Sequence, residues 1–116
     1  MVKKSADATV VDFPWGKIEW MVSGELQNSQ STTFGRVTIR AGMSNDFHRH
    51  PNCDEVLYVL AGTIEHHVEQ ERFRMDIGDA ISIPSGLWHC AAALGDEDAV
   101  MLISFSSPFR ETDFAP

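Results

Sequence analysis

The chain has 116 residues, 43% of them hydrophobic, and a formal net charge of −8 at pH 7. This length favours one domain over residues 1–116, and the acidic balance argues against nucleic acid or an anionic membrane as a partner. The first residues lack the apolar core of a signal peptide, and no apolar run is long enough to cross a membrane. We therefore expect a cytoplasmic protein in which Cys53 and Cys90 are free thiols.

Apolar and polar residues alternate with a period of two along much of the chain, which predicts an all-β fold. After an N-terminal arm (1–12), strands are expected over Lys17–Gly24, Thr32–Arg40, Glu55–Gly62, Thr63–Gln70, Ala80–Pro84 and Ala99–Phe105. The polar segment Glu25–Thr32 is expected to be a loop, and residues 106–116, with two prolines, a surface tail. Several short strands separated by turn signals indicate a sandwich or a barrel.

Two histidines and a glutamate precede or begin the Glu55–Gly62 strand. His48 and His50 are two residues apart, so on a strand both side chains would point to one face. Two adjacent imidazoles are poor core material because each needs hydrogen-bonding partners, and a metal ion would take one nitrogen from each. Glu55 could add a carboxylate oxygen, and His89, after a Pro-x-Gly turn, is a fourth candidate.

The chain resembles the cupins at two motifs. The first runs from Gly42 through His48, His50 and Glu55 to Gly62, and the second from Gly78 through Pro84 and Gly86 to His89, with every spacing kept. The final Asn of the second motif is replaced by Ala93.

The resemblance implies a jelly-roll barrel of about six to eight strands. It also implies that one divalent transition-metal ion (Mn, Fe, Co, Ni, Cu or Zn) is bound by four side chains, namely His48, His50, Glu55 and His89. Such a ligand set leaves coordination positions open for water or substrate, as in reactive rather than structural sites. Some cupins are metal-free, so a barrel whose histidines carry protons is the alternative.

Two further residues are candidates for contact with a substrate. By alternation from Ile64 and Val68, His66 faces the interior, where it is either a base or substrate contact or a polar filler, and His67 faces solvent. The tail "SFSSPFRETDF" is similar to the "FSPxRxDF" ending of small cupins that open unsaturated uronate rings, in which the arginine binds the sugar acid. That similarity implies a substrate-binding role for Arg110.

The chain departs from those ring-opening cupins at several positions. Glu55 replaces a Gln, and Ser104 and Ser106 replace an Asp and a Phe. The similarity in the tail therefore supports a shared arrangement of the chain more than a shared activity.

The Glu55–Gly62 strand is apolar on both faces, because Val56, Tyr58 and Leu60 alternate with Leu57 and Val59. A chain this short has no second layer to cover the outer face, so a partner subunit is expected there. We predict a homodimer.

Three functions are compatible with these residues. The first is a metalloenzyme with dioxygenase-type chemistry on a small oxygen-rich substrate, for which Glu55, His66 and Arg110 are the candidate catalytic residues. The second is an isomerase or lyase acting on a sugar acid. The third is a cupin that binds a small-molecule ligand without turnover, since one fold hosts many functions.

Overall fold

The computed structural model describes all residues from 1 to 116 and consists almost entirely of β-structure. A short 3-10 helix, Ser5–Asp7, precedes the strands, and no helix has the length and hydropathy needed to cross a bilayer. The strands in chain order are β1 (Thr9–Phe13), β2 (Gly16–Val22), β3 (Thr33–Ile39), β4 (His48–Arg49), β5 (Glu55–Ala61), β6 (Thr63–Val68), β7 (Glu71–Met75), β8 (Ala80–Ile83), β9 (His89–Leu94), β10 (Ala99–Phe105) and β11 (Asp113–Phe114).

The strands form two antiparallel sheets. The larger sheet has the order β1-β2-β3-β10-β5-β8, and the smaller one has the order β11-β4-β9-β6-β7. Strand β10 comes late in the chain but lies between β3 and β5. The prediction of an all-β fold is confirmed.

The eleven strands exceed the six that the alternation of the sequence predicts, for identifiable reasons. Four of the five residues of β7 are exposed, so this strand has no apolar alternation. Strand β9 is rich in alanine, which has a low preference for strands. Residues 9–12 of the expected N-terminal arm belong to β1, which pairs with β2, and the expected tail contains β11, which pairs with β4.

The core lies between the inward faces of the two sheets. Strands β3 and β10 alternate strictly between buried and half-buried residues, as the sequence pattern predicts. Ile39, Val59 and Met101 of the larger sheet and Ile64 of the smaller sheet are completely buried. Burial of each such side chain stabilises the fold by about 1.5–3 kcal/mol.

The turn between β5 and β6 depends on Gly62. Its φ angle is +76°, and a Cβ atom there would lie 2.6 Å from the backbone oxygen of Asp98. Any other residue would be strained and would collide with the neighbouring backbone. The last glycine of the first motif thus holds the start of β6 against the loop before β10.

The outer face of β5 has no cover within the chain. Val56, Tyr58 and Leu60 are 47%, 42% and 41% exposed, whereas Leu57 and Val59 are buried. The expected apolarity of both faces is present, and the homodimer stays a prediction.

Candidate metal centre

Four side chains from three strands and one adjoining loop converge inside the barrel. His48 lies on β4 with His50 just after it, Glu55 begins β5 and His89 begins β9. Their potential ligand atoms all lie within 4.8 Å of one another. His50, Glu55 and His89 are at most 5% exposed, and His48 is half-buried. The four predicted ligand residues are thus brought together, with contributions from both sheets.

Each of the three imidazoles has its Nδ1 atom held by a backbone carbonyl. His48 Nδ1 lies 2.6 Å from Asp46 O, His50 Nδ1 lies 2.9 Å from Glu111 O, and His89 Nδ1 lies 2.8 Å from Leu87 O. A carbonyl oxygen only accepts hydrogen bonds, so Nδ1 carries the proton in all three rings. The Nε2 lone pairs are therefore free, which is the arrangement found in metal-ligating histidines.

The donor set fits a bound cation. Nε2 of His50 and Nε2 of His89 lie 3.2 Å and 3.1 Å from the same carboxylate oxygen, Glu55 Oε1. With Nδ1 already donating, a neutral ring has no proton left for this carboxylate, and His50 Nε2 is buried without a hydrogen-bond partner. A divalent ion among these lone pairs would satisfy all of them, because imidazole nitrogen and carboxylate oxygen are its usual ligands.

The environment sets the charges that such an ion requires. Burial alone would raise the pKa of Glu55, but hydrogen bonds and attraction from His50 and His89, which act when their Nε2 atoms carry protons, outweigh burial and hold that pKa well below its usual range. A bound ion would take the place of those protons. Burial, with repulsion from His89, lowers the pKa of His48 to about 4. At neutral pH the carboxylate is therefore ionised and His48 is neutral, the forms in which both groups bind metals.

A cavity of about 130 Å³ opens beside the four side chains. One wall is aromatic and consists of Phe13, Trp15, Trp20 and Phe105. Trp88, by contrast, stacks on Phe47 and on the guanidinium of Arg49 outside this cavity. Apolar walls with a few convergent polar groups are typical of small-molecule sites.

Arg110 reaches this cavity from the tail. Its guanidinium carbon lies 4.4 Å from the ring centroid of Trp20 and 5.3 Å from that of Phe105. It donates a hydrogen bond to Thr112 Oγ1 but forms no ion pair with a carboxylate. A half-buried, always-charged guanidinium without an anionic partner is suited to an acidic ligand.

His66 faces the interior, as the alternation along β6 predicts. It is 1% exposed, lines the cavity and lies outside the four-residue cluster. Burial lowers its pKa to about 4, so the ring is neutral at pH 7. His67 on the opposite face is half-buried and packs on Phe47.

The sequence does not reveal the contribution of the tail backbone. The Glu111 carbonyl orients His50, and Thr112 and Phe114 line the cavity. A carbonyl exists at every residue, so no residue type signals this role, although the similarity in the tail does draw attention to Arg110. Cys53 and Cys90 are free thiols, as predicted.

A known protein family matches the part of the chain that contains the four clustered side chains. The profile of the Cupin domain family matches residues 35–105, which include all four clustered side chains. The chain is a cupin.

Two curated proteins share sequence similarity with this cupin. Auxin-binding protein ABP19b of Prunus persica is 35% identical over 96 residues, which cover 76% of the chain and 46% of that protein. Polyketide synthase CurC of Streptomyces cyaneus is 26% identical over 91 residues, which cover 78% of the chain and 59% of that protein. The cupin thus spans about half the length of the curated relatives it matches.

Solved structures share its fold. Oxalate decarboxylase of Lactobacillus farciminis in a formate complex superposes with a TM-score of 0.87 at 23% identity, over 94% of this chain and 34% of its own. Oxalate decarboxylase of Bacillus subtilis, with Mn(II) centres, superposes with a TM-score of 0.86 at 23% identity, over 95% and 30%. At this identity the likeness shows the fold alone, a cupin jelly roll.

Proposed function

We propose that this cupin is a metalloenzyme with dioxygenase-type chemistry on a small, oxygen-rich substrate that carries an acid group. One divalent transition-metal ion per chain would be held by His48, His50, Glu55 and His89. The observation that carries the proposal is the fixed set of Nε2 atoms around the Glu55 carboxylate, beside a cavity that contains an unpaired arginine. When bound, the ion would supply Lewis-acid and redox chemistry at open coordination positions.

The side chains around the cavity have separable roles in this proposal. Arg110 binds the acid group of the substrate, because its fork of donors matches a carboxylate. The aromatic wall packs against the planar part of the substrate and keeps water away from it. Glu55 acts as a ligand rather than as a base, since a carboxylate with a strongly lowered pKa is a weak base at neutral pH.

The second candidate is an isomerase or lyase acting on a sugar acid. The specific observation in its favour is Arg110 in the cavity, which matches the tail of the ring-opening cupins. The aromatic wall favours the first candidate, because a polyhydroxylated sugar needs many hydrogen-bonding groups around it and a planar unsaturated substrate needs few.

The deciding experiment is metal content followed by oxygen uptake. Wild-type protein should hold about one ion per chain, measured by plasma mass spectrometry, and a His48→Ala/His50→Ala variant should lose it. The matched control is His67→Ala, which removes a histidine from outside the centre and should keep the ion. The loaded wild type should consume oxygen with enediols or flavonols, and Arg110→Gln should raise the KM for acid-bearing substrates.

Other outcomes would separate the alternatives. Turnover of unsaturated sugar acids without oxygen uptake would favour the isomerase or lyase. Ligand affinity that survives Glu55→Gln, with no turnover in the wild type, would indicate a binding cupin. Absence of metal from both the wild type and the double variant, with activity that resists chelators, would overturn the metalloenzyme and favour the metal-free barrel.

A further inference from the structure

His66 is a buried polar side chain whose polar atoms have no partner. It is 1% exposed, and neither Nδ1 nor Nε2 makes a hydrogen bond within the protein. The three imidazoles of the metal centre differ, since each has its Nδ1 held by a carbonyl. Native proteins rarely leave both nitrogens of a buried ring unsatisfied, and such a group calls for a ligand or water.

The position of His66 leaves its ring open toward the cavity. On β9 the residue directly opposite is Ala91, whose small side chain also lines the cavity and does not cover the ring. His89 is the diagonal neighbour on the same face, with its ring centroid 5.8 Å away. His66 therefore lies beside the metal-binding side chains without belonging to them.

The hydrogen-bonding capacity of the His66 ring restricts which chemical group of a bound molecule can pair with it. A neutral imidazole offers one donor and one acceptor. A hydroxyl or an enol both donates and accepts, so either ring nitrogen can pair with it, whereas a carboxylate pairs only with the donor. In the proposed function, the carboxylate is bound by Arg110, which lines the same cavity from the tail.

We propose that His66 is a substrate-contacting residue that hydrogen-bonds a hydroxyl or enol oxygen next to the metal centre, and that the substrate class is a small hydroxy- or enol-acid. The inference rests on the proposed function, because it requires a substrate in this cavity. It adds a recognition element in the smaller sheet to that of Arg110 in the tail.

The test compares two planar probes that differ by one hydroxyl, salicylate and benzoate. Both are titrated calorimetrically into zinc-loaded full-length wild type, His66→Leu and His67→Leu. We expect the wild type to prefer salicylate by about tenfold, as one buried hydrogen bond would produce. His66→Leu should abolish most of this preference and leave benzoate affinity unchanged, and His67→Leu should behave as wild type.

Two further readouts distinguish recognition from a structural role. His66→Leu should keep the full zinc content and an equal or higher Tm, because leucine leaves no buried nitrogen unpaired. A partial return of the salicylate preference in His66→Gln, which retains a donor and an acceptor, would support the proposal.

The contrary results are equally specific. An unchanged salicylate preference in His66→Leu, or a lower Tm with that preference intact, would overturn the contact and leave the proposed function standing. Zinc loss in His66→Leu would make the residue a ligand instead. If zinc-loaded wild type bound neither probe, the substrate class would be wrong, and if the wild type could not be loaded, the proposed function would fail first.

Discussion

Three histidines of this cupin have pKa values in the folded chain that differ from those in the unfolded chain. The pKa values of His48 and His66 both fall from the ordinary 6.5 to about 4, chiefly through burial. The pKa of His89 is shifted upward, since the protonated ring donates from Nε2 to Glu55 and is attracted by it, and these contacts outweigh burial. Acid should therefore act on folding as well as on metal binding.

We predict that the chelator-treated protein loses stability as the pH falls from 7 to 5. His48 and His66 bind protons in the unfolded chain below pH 6.5 but resist them in the folded chain until about pH 4. Each should cost about 2 kcal/mol of the free energy of unfolding over this range. His89 has the opposite sign, and its contribution is lost as the pH rises through its raised pKa.

Urea unfolding at pH 7 and pH 5 measures this effect. His66→Leu removes one of the two titrating rings, so its stability should decline less than that of the wild type. Equal declines in the two proteins would contradict the assignment to His66.

The sequence predicts which residues form the centre better than it predicts what holds them. The spacing of His48, His50, Glu55 and His89 within two motifs was sufficient to select all four. Alternation along β6 was sufficient to predict that His66 faces the interior. The carbonyls that fix the ring tautomers, and the absence of any partner for His66, depend on segments distant in sequence and are not encoded by a residue type.

Among the larger elements, the C-terminal tail is tied to the candidate metal centre by one asparagine. Asn52 Nδ2 donates a hydrogen bond to Phe109 O, and Glu111 N donates one to Asn52 Oδ1, both at 2.8 Å. The carbonyl of the same Glu111 accepts from His50 Nδ1. The tail therefore orients His50, a candidate ligand, as well as carrying Arg110.

We predict that Asn52→Ala weakens metal affinity by about tenfold, because loosening the partner of a ligating histidine reduces the affinity of the site. The zinc affinity of each variant is measured by competition with a fluorescent zinc chelator. Asn28→Ala is the matched control, since Asn28 also holds two backbone groups, Ser23 N and Met21 O, each at 2.9 Å, in a loop outside the centre.

The two variants should lose similar stability, but only Asn52→Ala should lose zinc affinity. Equal affinities would show that the tail does not support His50.

Elements with clear alternation were predictable from sequence, and those without it were not. Strands β3, β5 and β10 bury every second residue, and their expected and observed bounds agree within a few residues. Strand β11 has two residues, too few for any periodicity to appear. The similarity to other cupin tails pointed to Arg110, but it did not indicate that β11 pairs with β4.

At the scale of the whole molecule, the exposed apolar face of β5 is suited to an interface between subunits. The net charge of −8 opposes self-association, so a dimer would depend on apolar burial. We predict that Val56, Tyr58 and Leu60 lie in a homodimer interface and that Tyr58→Glu produces a monomer, because a charge would be buried without a partner.

Light scattering coupled to size-exclusion chromatography reports the mass directly. Phe73→Glu is the control, since Phe73 is 41% exposed on β7 of the other sheet and its variant should remain dimeric. A monomeric wild type, or a dimeric Tyr58→Glu variant, would contradict the assignment.

The position of β10 has a consequence for biosynthesis. Strands β3 and β5 share no neighbour until residue 105 has been synthesised, and His50 has no backbone partner until residue 111 follows. Pairing across such long sequence separations is slow, so the larger sheet closes only after β10 has been synthesised. In the proposed function, the ion is captured only after these segments have been synthesised, and its identity depends on which metals the surrounding compartment supplies at that moment.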